Sequence, residues 1–256
     1  MLFSENTFIG VDLSPGKKNI QYAAIDDQLE LLALAQGDLN HLLTFLRNQQ
    51  QATLAIHGPA RLNQRILKDA ERREQYLIPL GKGRPGNMRV AEYTLRQHRL
   101  PTYRTPALAA DAPPWMQTSF KLYSALREAG YQPFNPEQPL QRKYVEVIPE
   151  ISFHAWLNGK VLPANTLHGR MQRQLVLYEH GLKVADPMTY FEEITRFRIL
   201  QGILPKDLVY SAPAQTALAA AYMAWLLEKQ PNTLTLVGIP EEGQITILEN
   251  LIHKAD

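Results

Sequence analysis

Apolar and polar positions follow two rhythms along this chain, and the switches between them mark its elements. Residues 7–11 (TFIGV) form an apolar, β-branched run that ends on Asp12, before Ser14-Pro15-Gly16 announce a turn, and they predict a strand. Residues 20–25 and 29–34, separated by Asp26-Asp27-Gln28, predict two more strands in antiparallel succession, so the chain opens with a meander. Asp38 then reads as the N-cap of a helix with Leu39, Leu42, Leu43 and Leu46 at helical spacing. Residues 52–56 (ATLAI) are almost wholly apolar, as expected of a strand inside a sheet covered on both faces.

Beyond this strand, a helix is predicted over 62–76 and another near 89–98, with a loop between them that holds Gly81, Gly83, Pro85 and Gly86. Pro101, Pro106, Pro113 and Pro114 exclude regular structure until about Trp115, where a helix runs to Ala129 and stops at Gly130. Pro133, Pro136 and Pro139 mark a connection, and residues 143–148 (KYVEVI) form a strand with Glu146 in its middle. Helices are expected at 151–157, 169–180, 189–200 and 213–229, and two short strands at 233–239 and 244–248. No repeat, low-complexity tract or linker interrupts this order. It reads as one α/β domain over 1–256, with a mixed sheet between helices: an antiparallel opening meander, then parallel strands.

Composition narrows the chemistry. The 256 residues include no cysteine, which excludes disulfides, thiolate-held zinc, iron–sulfur clusters and a Cys nucleophile, and leaves oxygen and imidazole groups. The start lacks the basic and apolar regions of a secretory signal, and the longest apolar run, residues 217–227, is too short to span a bilayer. A cytoplasmic protein is expected. The near balance of 27 Lys+Arg against 25 Asp+Glu hides a segment at 61–104 with a local charge of +7. Such a segment is either a solvated face or a contact for phosphates.

Acids inside or beside apolar strands need a reason, because an unpaired carboxylate is strongly disfavoured in a core. Asp12 is either a site acid or an Asx-turn residue before Ser14-Pro15-Gly16. Glu146 shares a strand face with Tyr144 and Ile148, and reads as a site acid or a solvent-facing Glu. Glu150, just after Pro149, has good first-turn chemistry at a helix N-terminus. His57 is either a strand-end histidine held by a hydrogen bond or a general base, metal ligand or phosphate contact.

The segments IGVDLSPG (9–16), AIHGPARLN (55–63), RVAEYTLRQHRLPTYRTP (89–106), VEVIPEISFHAWLNG (145–159), TALAAAYMAW (216–225) and VGIPEEGQITI (237–247) resemble domain-of-unknown-function family 429. The resemblance spans nearly the whole chain, keeps segment order, and is most specific in VEVIPE and PEEGQI. That family is described as predicted nucleases of the ribonuclease H-like superfamily, whose strand order matches the one read above. The resemblance implies a divalent-metal-dependent phosphodiester hydrolase, with Asp12 and Glu146 as ligands for Mg²⁺ or Mn²⁺ and Glu150 as the second Glu of the motif. Two positions depart from the pattern. His57 stands where an aspartate is expected after Ile56, and Thr216 stands where an aspartate is expected at the opening of the last helix. His57 joins Asp12, Glu146 and Glu150 as a catalytic candidate.

Lys82, Arg84, Arg89, Arg96 and Arg99 are the expected nucleic-acid contacts, with Tyr76, Tyr93 and Tyr103 interleaved for stacking on bases or covering the core. One functional expectation is therefore a nuclease-like protein with a depleted site. The alternative is a non-catalytic member of the same fold that binds nucleic acid or a protein. A phosphate-binding ATPase of actin-like architecture is a third reading, but the second glycine-rich hairpin it requires is missing.

Overall fold

A computed structural model describes residues 6–14, 19–76, 78, 87–138 and 140–251. A mixed sheet of eight strands runs through them. Its path begins with β3 (Leu31–Gly37), β2 (Ile20–Ile25) and β1 (Thr7–Asp12), continues through β4 (Ala52–His57) and β6 (Arg142–Val147), and ends with β8 (Gly243–Leu248) and β7 (Leu234–Ile239). A two-residue strand, β5 (Gln132–Pro133), pairs with the start of β6. β1, β4, β6 and β8 are mutually parallel, and β2, β3 and β7 run antiparallel to their neighbours. The opening meander and the parallel strands that follow are those the hydrophobic pattern predicts.

Most helices also fall where expected. Asp38 caps α1 (Leu39–Arg47) by accepting from the His41 N–H. α3 (Val90–Gln97), α4 (Pro114–Glu128), α5 (Pro149–Trp156), α6 (Leu167–Glu179) and α9 (Ala212–Lys229) match the predicted segments within a few residues. Gly130, at φ +85°, ends α4.

Two predicted helices are shorter than expected. The one expected over 62–76 is reduced to α2 (Ala70–Gln75), because the N–H groups of Gln64 and Ile66 go to the Glu242 carboxylate and Arg65 adopts φ 60°. The one expected over 189–200 splits into α7 (Thr189–Glu192) and α8 (Arg196–Leu200), because the Thr195 hydroxyl accepts the Arg198 N–H and starts a new cap.

The sheet is covered on both faces. α1 and α4 pack on Ile9, Val11, Leu54, Ile56 and Tyr144. α9, with α5 and α6, packs on Phe8, Ala55, Val145 and Val147. α9 is apolar all round because it lies between the sheet and those helices, and it is built largely of alanine for the same reason. At Gly10 its backbone comes so close that a Cβ would sit 2.0 Å from the Ala217 carbonyl oxygen. Thr53, at the start of β4, donates to Glu228 at 3.1 Å, and Lys229 lies over the Phe8 ring. The helix thus runs against β1, and its N-terminal end faces the C-terminal ends of the parallel strands. β7 and β8 are covered separately by Ala91 and Leu95 of α3.

Candidate functional site

The C-terminal ends of β1, β4 and β6 align Asp12, His57 and Val147 in one register. Asp12 is buried, and its Oδ1 accepts the Ser14 N–H at 3.0 Å and meets His57 Nδ1 at 3.0 Å. The Asx-turn reading of Asp12 and its pairing with a strand-end histidine therefore hold together. An acceptor-only carboxylate calls for the proton on Nδ1, which leaves Nε2 of the neutral ring as an acceptor directed elsewhere. His57 keeps 19% exposure, and its ring centroid lies 6.2 Å from both Tyr103 and Trp115. The loop after it is fixed by Ser119, which donates to the Pro59 carbonyl at 2.9 Å, and by Tyr123, which donates to that of Gly58 at 3.2 Å.

Glu146 belongs to a different constellation. Its register partner is Ile56, and strand alternation groups it with Tyr144 on the α4 side, whereas Asp12 follows Phe8 and Gly10 on the α9 side. Glu146 is 2% exposed. It accepts from Arg89 Nη1 at 3.0 Å and also from Arg89 Nη2, from the Tyr103 hydroxyl at 2.5 Å, and from the Ala60 N–H at 2.8 Å.

Arg89 is fully buried, and it also donates to Glu92 at 2.8 Å and to the Glu242 carbonyl at 3.0 Å. Glu92 in turn holds the N–H and hydroxyl of Thr105, and Glu242 holds the N–H groups of Gln64, Ile66 and Val90. Two buried carboxylates, those of Glu92 and Glu146, thus share one guanidinium, and backbone N–H donors compensate that of Glu242. Burial alone would lower the Arg89 pKa, but the charges and hydrogen bonds of Glu146 and Glu92 hold it well above the ordinary arginine value. Burial, and then the Glu146 charge, push the Tyr103 hydroxyl well above the usual tyrosine range, so it remains a donor to Glu146.

The sequence-predicted residues therefore separate. Asp12 and His57 are brought together, whereas Glu146 lies on the other face of the sheet and is paired with Arg89. Glu150 sits in the first turn of α5, where it receives two hydrogen bonds from Arg173 at 2.8 and 3.0 Å. Thr216 lies inside α9 and donates to the Ala212 carbonyl. Among the described residues, no group of three or more His, Cys, Asp or Glu is arranged to hold a metal ion. The expectation that Arg89 lines a binding face is corrected, because its side chain is enclosed and its donors are committed to Glu92, Glu146 and the Glu242 carbonyl. Arg96 and Arg99 are exposed, as are Arg61, Arg65 and Arg104, while Lys82 and Arg84 lie outside the described residues.

Glu92, Thr105, Trp115 and Glu242 are the residues that pattern reading missed, and Tyr103, expected to stack on bases or cover the core, instead donates to Glu146. A signal was available for three of the four: Glu92 and Thr105 lie in RVAEYTLRQHRLPTYRTP, and Glu242 lies in PEEGQI. With Arg89 and the Glu146 of VEVIPE, these separated motifs meet in one buried cluster.

The family model described as "Protein of unknown function (DUF429)" matches residues 10–241 of the chain. No curated protein and no solved structure matches it. No helix among the described residues is long and apolar enough to cross a membrane.

Proposed function

This chain belongs to the DUF429 family, and we propose that it binds nucleic acid on a ribonuclease H-like scaffold that lacks a two-metal cleavage centre. The observation that carries this reading is the commitment of Glu146 to Arg89, Tyr103 and the Ala60 N–H. A Mg²⁺ or Mn²⁺ pair needs several oxygen ligands converging on one point. Here the first-strand acid has a histidine beside it, the second acid is neutralised on the α4 side, and position 216 is a helix-internal threonine. The donor set does not fit such a centre. The ribonuclease H-like assignment is supported by the antiparallel meander that precedes parallel β4 and β6, and by the helix that runs back along β1.

Binding falls to the basic segment. Arg96, Arg99 and Arg104 are exposed within nine residues, on a segment rooted by buried Arg89 and Glu92. Anchoring their backbone lowers the ordering cost of phosphate contacts. Fluorescence anisotropy with single- and double-stranded DNA and RNA, taken across salt concentrations, tests this. Wild type and Asp12→Ala should bind alike, with affinity falling as salt rises. Replacing Arg96, Arg99 and Arg104 with Ala should reduce the slope of log K against log salt by about 2–3. Mg²⁺- or Mn²⁺-dependent cleavage that is absent in Asp12→Ala would overturn the non-catalytic reading, and no binding at low salt would overturn the nucleic-acid reading.

The Asp12–His57 contact favours one other reading, a metal-independent hydrolase with His57 Nε2 as general base. It requires cleavage in the presence of a chelator that disappears in His57→Gln.

A further inference from the structure

The sheet parts on one flank of β6. The first residues of β6 pair with β5 (Gln132 with Lys143, Pro133 with Tyr144), but its last two pair with β8 (Glu146 with Ile245, Val147 with Thr246). β5 is short because Pro133 cannot donate to a ladder, and β8 pairs with β6 only at Glu146 and Val147. A cleft of about 510 Å³ opens between them. This is the size of a small-ligand site, and strands that diverge are a recurrent place for one.

Three features of its lining point to a ligand. Arg61 and Arg127 border the cleft, both exposed and neither in an ion pair within 4.0 Å among the described residues; Glu241 senses the Arg61 charge only at longer range. Phe134, with Lys143 over its ring, lines the cleft beside the amide of Gln244, and the edge of the buried Tyr144 borders it. Thr246, only 2% exposed, also lines the cleft, and its hydroxyl oxygen is shut from solvent with no hydrogen-bond partner. A buried hydroxyl without a partner costs about 1–3 kcal/mol, and a ligand group seated in the cleft can remove that cost. Glu146 borders the same space, but its charge is answered by Arg89, so it does not repel an anion as a free carboxylate would.

We propose that this cleft binds one nucleotide unit, its phosphate between Arg61 and Arg127 and its base beside Phe134, with an edge satisfied by Thr246 and Gln244. The unit comes either as a free mononucleotide or as the terminal nucleotide of a strand. The site shares no residue with the arginines assigned above to phosphate-backbone contact, so the two readings stand or fall separately.

Calorimetric titration of the full chain with the four ribonucleoside 5′-monophosphates, inorganic phosphate and a 5′-phosphorylated hexanucleotide tests the proposal. At least one mononucleotide or the hexanucleotide should bind more tightly than inorganic phosphate. Preference for the hexanucleotide that is lost in Arg127→Ala identifies a strand end as the source, and equal affinity identifies the free nucleotide. Affinity should fall at least tenfold in Thr246→Val, which keeps the shape and removes the hydroxyl, and in Arg127→Ala. Thermal melting of each variant confirms that it is folded. Absence of binding at millimolar nucleotide, phosphate binding as tightly as any nucleotide, or nucleotide affinity unchanged in both folded cleft variants would overturn the proposal.

Discussion

At the residue scale, Arg89 has the largest consequence. Its guanidinium lies between Glu146 and Glu92 with no exposure of its own, so its removal leaves two buried carboxylates without their cation. Breaking a buried pair in this way costs about 3–5 kcal/mol, more than a typical core methylene. Arg89→Met, which keeps much of the apolar stem, should therefore lower the urea midpoint by an amount equivalent to about 3–5 kcal/mol.

Tyr131 offers a separate test through pH. Burial raises its hydroxyl to about 12, against the Arg142 charge, which acts in the opposite direction, while the hydroxyl donates to the Leu46 carbonyl at 2.9 Å. The folded state thus holds the proton more tightly than the unfolded chain, which titrates near 10. The stability tied to that proton is complete below pH 10 and is lost as pH rises from about 10 to about 12. Unfolding midpoints measured across that window should fall for wild type and should fall less steeply for Tyr131→Phe. Both residues show why patterning alone ranked the polar groups incompletely. It marked Arg89 as basic and Glu146 as an acid in a strand, but their pairing spans 57 positions of chain.

Among the elements, α9 depends most on a single position elsewhere in the chain. A Cβ at Gly10 would meet the Ala217 carbonyl oxygen at 2.0 Å and the Ala221 nitrogen at 2.2 Å, and both are backbone atoms that cannot rotate aside. Gly10→Ala should therefore destabilise the protein by at least the 1–3 kcal/mol or so typical of overpacking, read as a drop in melting temperature. Gly37→Ala is a useful contrast, since its close neighbour is the movable His41 side chain, and it should cost less. Local sequence located α9 well because its alanine-rich stretch and its Ser211 cap, which accepts the Ala214 N–H, agree. Local sequence failed over 62–76, where an acid 176 positions away takes the Ile66 N–H that a helix would have used.

Across the whole molecule, uneven charge becomes a division of labour. Part of the basic segment at 61–104 turns inward, where Arg89 joins β6, α3 and the β7–β8 hairpin, and part stays outside as Arg61, Arg65, Arg96, Arg99 and Arg104. The inward part fixes where the outward part stands. This is why salt-dependent binding is expected to follow the exposed arginines and not Asp12.

The sequence by itself determined most of the strands and helices, the absence of thiol chemistry, the basic segment and the membership implied by its motifs. These features rest on local periodicity, caps and composition, all of which act over a few residues. Only the tertiary structure decided which acids meet. Strand register sends Asp12 and Glu146 to opposite faces, and Arg89, from a segment between β4 and β6, takes the second of them. Burial then decides the outcome, because a carboxylate removed from water must find charge and donors close by, and here it finds an arginine.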